Sequence, residues 1–383
     1  MKYVSYYDTV DNKKENRGYV LSATNKMDYI CTVLNRLGYT VEIVSASATA
    51  NRKGCKGKNV QLTEKIRLRL LSCIGNGILP KRLLGRLWIR LQLFFNLLFG
   101  TKRGENVLVY HSLGYAKTIA FARKLKGFRL ILEVEEIYAD VNGRESDRKR
   151  EYKVFSVADA YLFPTELLNE KINIYHKPYA LIHGTYQVEP DRKCSVFLED
   201  VRKDGKRKIH CVYAGTLDPR KGGATAAAAA KYLPPEYHIH ILGFGSKEDE
   251  LHMKTTVDAL SQTCACSVSY DGLLAGEEYI RFIQSCDIGL STQNPDAAFN
   301  ATSFPSKILS YMANGLRVVS IRIPAVEGSA VGAYMYYYNR QTPEEIAKAI
   351  QSAEISAPYD SRSFMKSLDD EFCVKLEGLL KDW

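Results

Sequence analysis

The chain has 383 residues, of which 46% are hydrophobic and 25% are charged, and its formal net charge is +10. This length predicts two domains of roughly 150–200 residues, and the composition excludes disordered, collagen-like and coiled-coil chains. Most of the charge is local, because residues 51–103 contain 13 Lys and Arg and a single acidic residue, Glu64. A nucleic-acid-binding face would draw basic residues from several elements, so we expect no nucleic-acid partner.

The first half of the chain alternates short apolar strands with helical stretches. Strands are predicted at 2–7, 40–45, 106–112, 128–135, 160–164 and 179–184, with a helix over 28–39. Such alternation predicts a parallel, doubly wound sheet, and we assign residues 1–186 to this N-terminal domain.

The basic segment 51–103 contains an amphipathic helix. Its apolar residues follow helical spacing from Leu83 to Leu98, and its arginines recur every four residues along another face. Aromatic side chains combined with arginines predict a helix that lies on anionic lipid. The residues expected to associate with the membrane are Arg82, Arg86, Trp88, Arg90, Phe94 and Phe95. The alternative is a helix that packs on the N-terminal domain with a solvated basic face.

The membrane-spanning and secreted classes are not expected. The longest strongly apolar run, 91–99, is shorter than the ~18 residues of a spanning helix and contains Gln92 and Asn96. The N-terminal residues lack the apolar region of a secretory signal. Nine cysteines without a CxxC pair predict reduced thiols in a cytosolic protein.

The polar stretch 187–207 interrupts the alternation, and we interpret it as the linker between two domains. A second series of strands follows in a C-terminal domain, 208–361, with strands at 208–215, 237–245, 266–272, 286–292 and 316–323. A helix over 362–383 is expected to pack back on the N-terminal domain. The prediction is therefore an α/β protein with two Rossmann-like domains that face each other across a crevice, where the strands' carboxyl ends bind ligands.

Two segments of the second series indicate anion binding. In HCVYAGTLDPRKGG, residues 210–223, a strand ends in a glycine turn that opens a helix, with Lys221 available for a phosphate. In residues 300–321, Ser303 or Ser306 caps a short helix that carries Lys307 in its first turn. The alternative is a pair of ordinary strand–helix turns. The GxG at 243–245 lacks the third glycine of a dinucleotide site, so NAD is not expected.

The order AGTLDPRKGG, ILGFG, YDG, CDIGLS and SFPSKILSYMANGLRVVS resembles the GT-B glycosyltransferases of the GT4-like group, in particular bacterial enzymes that build capsular, exopolysaccharide or O-antigen chains. The resemblance implies a nucleotide-sugar donor, UDP favoured, and a polyprenyl-diphosphate-linked saccharide acceptor. It implies retention of anomeric configuration, no cofactor and no required metal. It also implies a cytoplasmic enzyme, peripheral on the inner face of the cytoplasmic membrane. Oligomeric state is not predicted.

The resemblance also assigns the donor-binding residues by position. They are Gly215, Thr216, Arg220, Lys221, Gly243, Gly245, Ser303, Phe304, Ser306, Lys307 and Ser310. The chain departs from the family at three of its functional positions: the family's arginine falls on Thr216, and its two glutamates fall on Thr302 and Ser310. This departure supports an alternative function, a non-catalytic homologue that acts as a sugar-nucleotide sensor or as a scaffold subunit of a membrane synthase.

In the N-terminal domain the resemblance points to acceptor and catalytic residues. The loop Arg17-Gly18-Tyr19 is expected to present the acceptor, the alternative being a solvated loop. Glu135 and Glu136 follow a strand that ends at the expected crevice, and either carboxylate would orient the acceptor hydroxyl or take its proton. Strand alternation places Glu133 and Glu135 on one face. His111 is a comparable candidate, the alternative being a structural histidine.

Overall fold

The computed structural model describes residues 1–9, 12–192, 196–197, 200, 205, 207–296 and 302–381. The chain divides into two compact units: unit 1 comprises Met1–Ile182 and Glu371–Trp383, and unit 2 comprises His183–Asp370. The described residues of the stretch 187–207 therefore belong to unit 2, whereas the sequence analysis assigned that stretch to a separate linker.

Unit 1 is built on an eight-stranded sheet in the order β3-β4-β2-β1-β5-β6-β7-β8. Neighbouring strands are parallel except β3 and β4, which are antiparallel. The strands are β1 Lys2–Ser5, β2 Val41–Ser45, β3 Lys58–Thr63, β4 Ile66–Leu70, β5 Asn106–Tyr110, β6 Arg129–Glu133, β7 Ala160–Phe163 and β8 Tyr179–Leu181. β2 and β5 lie on opposite sides of β1, so the strand order reverses between β1 and β5. Ligands bind at such reversal points in parallel sheets.

The helices of unit 1 explain why its central strands are buried along their whole length. Every residue of β1, β6 and β7 is buried, as expected when helices cover both faces of a parallel sheet. The helices are α1 Leu21–Arg36, α2 Leu79–Gly100, α3 Ala116–Lys126, α4 Tyr138–Asn142, α5 Glu145–Phe155 and α6 Glu166–Ile172. The C-terminal part of a further helix also belongs to unit 1, where Phe372 stacks on Tyr29 at 6.0 Å between ring centroids.

The hairpin β3–β4 was not predicted, although its pattern is visible. In β4 the residues Ile66, Leu68 and Leu70 are buried and alternate with Arg67 and Arg69, which is the period of a half-buried strand. The density of positive charge in residues 51–103 hides this alternation. The segment therefore folds as a hairpin followed by a helix, and part of its charge lies on the sheet edge.

Unit 2 is built on a six-stranded parallel sheet in the order β11-β10-β9-β12-β13-β14. Its strands are β9 Ile209–Thr216, β10 Tyr237–Phe244, β11 Ser267–Gly272, β12 Ile288–Ser291, β13 Arg317–Ile321 and β14 Met335–Tyr338. Its helices are α7 Gly223–Ala228, α8 Lys247–Thr263, α9 Gly276–Ser285, α10 Lys307–Ala313, α11 Pro324–Glu327, α12 Pro343–Ser352 and the first part of α13, Ser361–Lys381. The order reverses between β9 and β12, so the carboxyl ends of these two strands form the expected ligand-binding edge.

Candidate functional site

The carboxyl end of β9 carries a buried ammonium group. Lys307 begins α10; its stem is partly exposed, but its Nζ is buried and has no hydrogen-bond partner among the described residues. Nζ lies 3.8 Å from the centroid of the Tyr213 ring, a cation–π contact. Burial, followed by the charge of Lys221, lowers the pKa of Lys307 to about 7. Because two neighbouring cations repel each other and one of them is desolvated, this position favours a negatively charged ligand.

The turn after β9 contacts the residue that follows β12, the neighbouring strand at the point where the strand order reverses. Gly222 has φ +80°, and a Cβ at this position would lie 1.6 Å from the carbonyl oxygen of Thr292, just beyond β12. The Thr292 hydroxyl in turn donates a hydrogen bond of 2.9 Å to the Gly222 carbonyl oxygen. Only glycine tolerates this backbone conformation and this contact. The contact positions Lys221, the preceding residue, at the edge where the sheet binds ligands.

A second close backbone contact lies between the ends of β9 and β10. Gly243 has φ +152°, and a Cβ there would lie 1.8 Å from the carbonyl oxygen of Gly215. A Cβ at Gly215 would lie 3.1 Å from Nζ of Lys307. The N–H of Ala214 donates a hydrogen bond of 2.8 Å to the hydroxyl of Tyr311, a residue of α10. The two glycines and this hydrogen bond hold α10 and its lysine against the end of β9.

Two predicted residues of the turn do not supply a free charge. Arg220 forms an ion pair with Asp218, 2.7 Å between Nη2 and Oδ2, and its side chain is 62% exposed. Thr216, at the family's arginine position, is exposed. Lys307 is therefore the buried cation at this edge, while the charge of Arg220 is already paired at the surface.

The residues before and within α10 occupy different environments. Phe304 is buried and stacks on His183 at 4.9 Å between ring centroids, while Ser306 is exposed. Ser303 and Gly245 are partly exposed and exposed, respectively. The hydroxyl of Ser310 lies 3.3 Å from the Tyr279 hydroxyl.

The helices that follow the two anion-binding segments are short. The first, α7, ends at Ala228 and continues as a 3-10 helix, Ala229–Tyr232. The second, α10, spans Lys307–Ala313. Such short helices have small dipoles, so the lysine charges are the main source of attraction for an anion.

In unit 1 a carboxyl group is buried at the carboxyl end of β6. Glu133 is fully buried and accepts a hydrogen bond from the Tyr3 hydroxyl. Glu135 lies beyond the end of the strand and forms an ion pair of 2.5 Å with Nζ of Lys26. Burial, followed by the charge of Glu135, raises the pKa of Glu133 to about 8. A carboxyl that stays protonated near neutrality beside an ionised one is an arrangement found in proton-transfer sites.

The structure places the predicted catalytic residues in different environments. Glu136, like Glu135, is partly exposed. His111 is buried, and its Nε2 lies 3.0 Å from Oε1 of Glu151. Glu151 also accepts hydrogen bonds from the first backbone N–H groups of α4, at 2.7 and 2.8 Å. His111 is thus part of a buried network that caps α4, which agrees with the structural alternative.

The predicted acceptor loop contains one structural residue and two accessible ones. Arg17 is buried, and its Nη1 donates hydrogen bonds to the carbonyl oxygens of Ser47 at 3.1 Å and Leu71 at 2.8 Å. Its Nε is paired with Glu15. Gly18 is exposed and Tyr19 is partly exposed. The guanidinium of Arg17 therefore binds the backbone just beyond β2 and β4 through Nη1, and its Nη2 is buried without a hydrogen-bond partner among the described residues.

The helix α2 has two apolar faces. Ile89, Leu93 and Leu97 are buried in the core of unit 1, and Phe94 stacks on Phe121 at 5.4 Å. The opposite side, called here the α2 apolar face, has exposed fractions between 41% and 77% and comprises Leu79, Leu83, Leu84, Leu87, Trp88, Leu91, Phe95 and Phe99. Arg82, Arg86 and Arg90 are exposed, and Arg90 donates a hydrogen bond of 2.8 Å to the Gly114 carbonyl oxygen.

By length and composition alone, α2 is a candidate membrane span. Its best 18-residue window has a mean hydropathy of 1.2, and 17% of that window is buried. The helix was predicted from the sequence as amphipathic but not as a candidate span, because its longest uninterrupted apolar run is too short. The buried residues of α2 attach the helix to the core of unit 1. The α2 apolar face is therefore the part of the helix that is expected to bind a partner.

Sequence reasoning missed Lys26 and Tyr3 as parts of the unit 1 cluster. Lys26 lies on the buried side of α1, three residues after Ala23 and four before Ile30. A lysine within such a stripe requires a polar partner, and this position is the signal that was available. The partner itself, Glu135, follows another strand far along the chain.

Comparisons with known proteins support the fold. No family model matches the sequence, and no curated protein matches it. Solved structures do match: an E. coli trehalose-6-phosphate structure bound with UDP-2-fluoro glucose, at a TM-score of 0.69 and 10% identity over 100% of this chain and 98% of that one. An α,α-trehalose-phosphate synthase (UDP-forming) from Burkholderia xenovorans in complex with glucose-6-phosphate matches at 0.66 and 11%, over 100% and 99%. Anabaena HepE in complex with UDP matches at 0.62 and 13%, over 100% and 98%.

At these identities the similarity concerns the fold. Two Rossmann-like units, each with a parallel sheet whose strand order reverses once, agree with the fold class expected from the sequence. The chain has the GT-B fold of α/β proteins, as these solved structures do.

Proposed function

We propose that the protein is a glycosyltransferase that moves a sugar from a nucleotide-diphosphate sugar, UDP favoured, to a hydroxyl of a lipid-linked saccharide in the assembly of a bacterial surface polysaccharide. The observation that carries the proposal is the buried Nζ of Lys307, which has no hydrogen-bond partner among the described residues and lies at the ligand-binding edge of unit 2. A diphosphate would compensate its charge and that of Lys221. Structures of the same fold hold UDP or UDP-2-fluoro glucose.

The chemistry assigned to unit 2 is departure of the nucleoside diphosphate. The bond between the anomeric carbon and the diphosphate oxygen breaks, and negative charge develops on that oxygen. Lys307 and Lys221 stabilise this charge, which is the largest electrostatic contribution available at this edge. Two lysines supply the positive charge that a divalent cation would otherwise supply, so we expect no metal requirement, and we expect retention of anomeric configuration.

The chemistry assigned to unit 1 is activation of the acceptor hydroxyl. Glu135 and Glu136 are partly exposed carboxylates beyond the end of β6, and either one would orient this hydroxyl or accept its proton. The exposed Gly18 and the adjoining Tyr19 would contact the acceptor saccharide.

A ligand panel tests the donor. Thermal melting is measured with UDP-, GDP-, ADP- and CMP-sugars, with and without EDTA, because a ligand that binds only the native state raises the melting temperature. We expect one nucleotide class, UDP, to stabilise the protein equally with and without EDTA. Absence of stabilisation by every nucleotide would contradict the proposal.

A pair of variants tests the role of the lysines in turnover. Lys221→Ala is expected to lower the turnover rate at least about tenfold, because one charge on the departing diphosphate is lost. Lys231→Ala removes an exposed lysine of the same unit and serves as the matched control. Equal turnover of the two variants would exclude Lys221 from the site.

We also propose that α2 places the enzyme on the inner face of the cytoplasmic membrane, where a polyprenyl-linked acceptor resides. The α2 apolar face would lie at the depth of the lipid headgroups, with Arg82 and Arg86 near anionic phosphates. The segment 51–103 has a net charge of +12, from 13 Lys and Arg and one acidic residue, whereas the whole chain has +10. An interfacial position, in place of a spanning one, follows from the residues that bury the other side of α2 in unit 1.

Vesicle partitioning tests this location. Transfer of one leucine side chain from water into the lipid interface contributes about 1.5–3 kcal/mol to the free energy of membrane binding. Leu84→Ser is therefore expected to weaken partitioning onto phosphatidylglycerol vesicles at least about tenfold. Leu251→Ser changes a leucine that is 67% exposed on α8 and serves as the control. Binding that resists high salt and alkaline carbonate would indicate a spanning helix, and equal binding of both variants would exclude the α2 apolar face.

A second function is favoured by the residues at two family positions. Thr302 and Ser310 have hydroxyls where the family has carboxylates, so neither presents a carboxylate to a donor sugar or ribose. Thr302 is buried, and Ser310 lies beside the Tyr279 hydroxyl. A non-catalytic sugar-nucleotide sensor or scaffold subunit would retain binding without transfer. Calorimetry together with a product assay separates the two functions: binding without product in the presence of membrane-extracted acceptor lipid supports the sensor.

A further inference from the structure

Three histidines lie side by side on one face of the unit 2 sheet. His210 on β9 is paired in register with His238 on β10, and His240 follows two residues later on the same face. One ring nitrogen from each histidine can be chosen so that all three lie within 4.8 Å of one another. His210 is 0% exposed and His240 is 2% exposed. Two buried imidazoles beside a partly exposed one require a chemical reason, because polar side chains are rarely buried without full partnering.

Carboxylates orient two of the three rings. Nδ1 of His238 lies 2.7 Å from Oδ2 of Asp200, and Nδ1 of His240 lies 3.2 Å from Oδ2 of Asp271. A neutral imidazole that donates from Nδ1 to a carboxylate keeps a lone pair on Nε2. This is the arrangement of metal-binding histidines, in which a carboxylate fixes the ring and increases the basicity of the ligating nitrogen.

The third ring leaves a buried nitrogen unsatisfied. Nδ1 of His210 lies 2.9 Å from Nε2 of His240, so the proton donated by His210 is used in that contact. Nε2 of His210 is then a buried acceptor, and it has no hydrogen-bond partner among the described residues. Phe197 stacks flat on His210 and on His240, at 4.1 and 4.6 Å between ring centroids. Stacking leaves the edge of the His210 ring open to a ligand, whereas Nε2 of His238 lies 3.1 Å from the Ser269 hydroxyl and Nε2 of His240 accepts from His210, so a metal would replace these two contacts.

We propose that His210, His238 and His240 bind a late first-row transition-metal ion, of which Zn²⁺ is the representative. Neutral imidazole is a preferred ligand of Zn²⁺ and its neighbours in the series, and three histidines leave one position for water or a carboxylate. At a Zn–N distance of about 2.1 Å, tetrahedral ligand nitrogens lie about 3.4 Å apart. Metal binding would require the cluster to contract by up to about 1.4 Å at its widest pair and the rings of His238 and His240, stacked at 3.9 Å between centroids, to turn so that their nitrogens converge.

The metal would have a structural role. His210 is the second residue of β9 and lies five positions, about 17 Å of strand, before Gly215 at the donor edge. A metal at the histidines would join β9 to β10 and, through Asp200, would also hold the residues that precede β9. The site is therefore separate from the chemistry proposed above, and donor binding does not depend on it.

Metal titration of the full-length protein tests the site. After dialysis against EDTA, we expect Zn²⁺ to bind with one-to-one stoichiometry by calorimetry and to raise the melting temperature, and Co²⁺ to give the absorption of a tetrahedral complex. His210→Gln and His238→Gln are expected to weaken Zn²⁺ binding at least about 100-fold, and Asp271→Asn about 10–100-fold. The control is His252→Gln, which changes an exposed histidine of α8.

Two further measurements separate loss of the site from loss of the fold. The melting temperature of each variant in EDTA and its UDP affinity report on the fold, and both are expected to remain close to those of the unaltered protein. Absence of one-to-one binding, binding that is unchanged in the His210 and His238 variants, or equal loss in the His252 variant would overturn the proposal and leave a hydrogen-bonded histidine network.

Discussion

The protonation of Lys307 makes donor binding depend on pH. Burial and the charge of Lys221 lower its pKa to about 7 in the free protein. A diphosphate against Nζ would restore a pKa near the ordinary value of ~10.4, because an opposite charge favours the ammonium form. Binding therefore takes up a proton whenever the free lysine has lost one, and the affinity decreases as the pH rises above 7.

The size of the change in UDP affinity follows from the populations of charged and neutral Lys307 in the free protein. With a pKa of about 7, Lys307 is charged in about half of the free molecules at pH 7 and in about 1% at pH 9. If the complex requires the ammonium, the Kd of UDP increases about fifty-fold between these pH values, or about 2.3 kcal/mol. The terminal phosphate has a pKa near ~6 and contributes little in this range.

Calorimetry at pH 7 and pH 9 measures this dependence. Lys307→Arg keeps a positive charge at both pH values, so its UDP affinity is expected to change by less than about threefold. Lys231→Arg, at an exposed position, should follow the unaltered protein. A pH-independent Kd in the unaltered protein, or the same slope in Lys307→Arg, would refute the assignment of this proton to Lys307.

Three further predictions concern stability. Because burial raises the pKa of Glu133 to about 8, the free energy of unfolding should fall from pH 5 to pH 8, and Glu133→Gln should flatten this profile. Gly222→Ala should destabilise the protein by more than about 3 kcal/mol, whereas Gly38→Ala, also at positive φ but with nothing within 4 Å, should cost about 1 kcal/mol. Tyr311→Phe removes the acceptor of a buried N–H and should cost about 1–3 kcal/mol, against no measurable change for the exposed Tyr232→Phe.

Urea unfolding followed by circular dichroism checks all three. For Glu133 the direction of the pH dependence of stability is decisive. The native carboxyl holds a proton up to a pH of about 8, whereas the unfolded chain loses it near pH ~4.3, so the free energy of unfolding must decrease as the pH rises between these values. A profile of Glu133→Gln parallel to that of the unaltered protein, or equal destabilisation within either matched pair, would contradict the corresponding contact.

The sequence by itself determined the fold class and most of the strands. The apolar runs in 40–45, 160–164, 208–215 and 237–245 correspond closely to β2, β7, β9 and β10. Strands that are buried on both faces are recognisable because most of their residues are apolar, although β9 and β10 also bury His210 and His240. The hairpin β3–β4 was missed because it lies at the sheet edge, where no residue of β3 and only every second residue of β4 is buried.

The sequence also indicated which turns carry glycines and lysines, but not which of them are buried. Arg17 and Lys221 look alike as isolated basic residues in glycine loops. The structure buries Arg17 against backbone carbonyl oxygens of unit 1 and leaves Lys221 at the edge of a sheet beside another cation. Burial depends on residues far along the chain, which no local pattern contains.

Tertiary structure alone decided the partners of the charged and titratable groups. Lys26 meets Glu135 across 109 positions, and His210 meets His240 across 30. Periodicity reports whether a side chain faces inward, since it follows from the local backbone geometry. The identity of the group that it meets there depends on strand order and register, and these are set by the packing of the whole sheet.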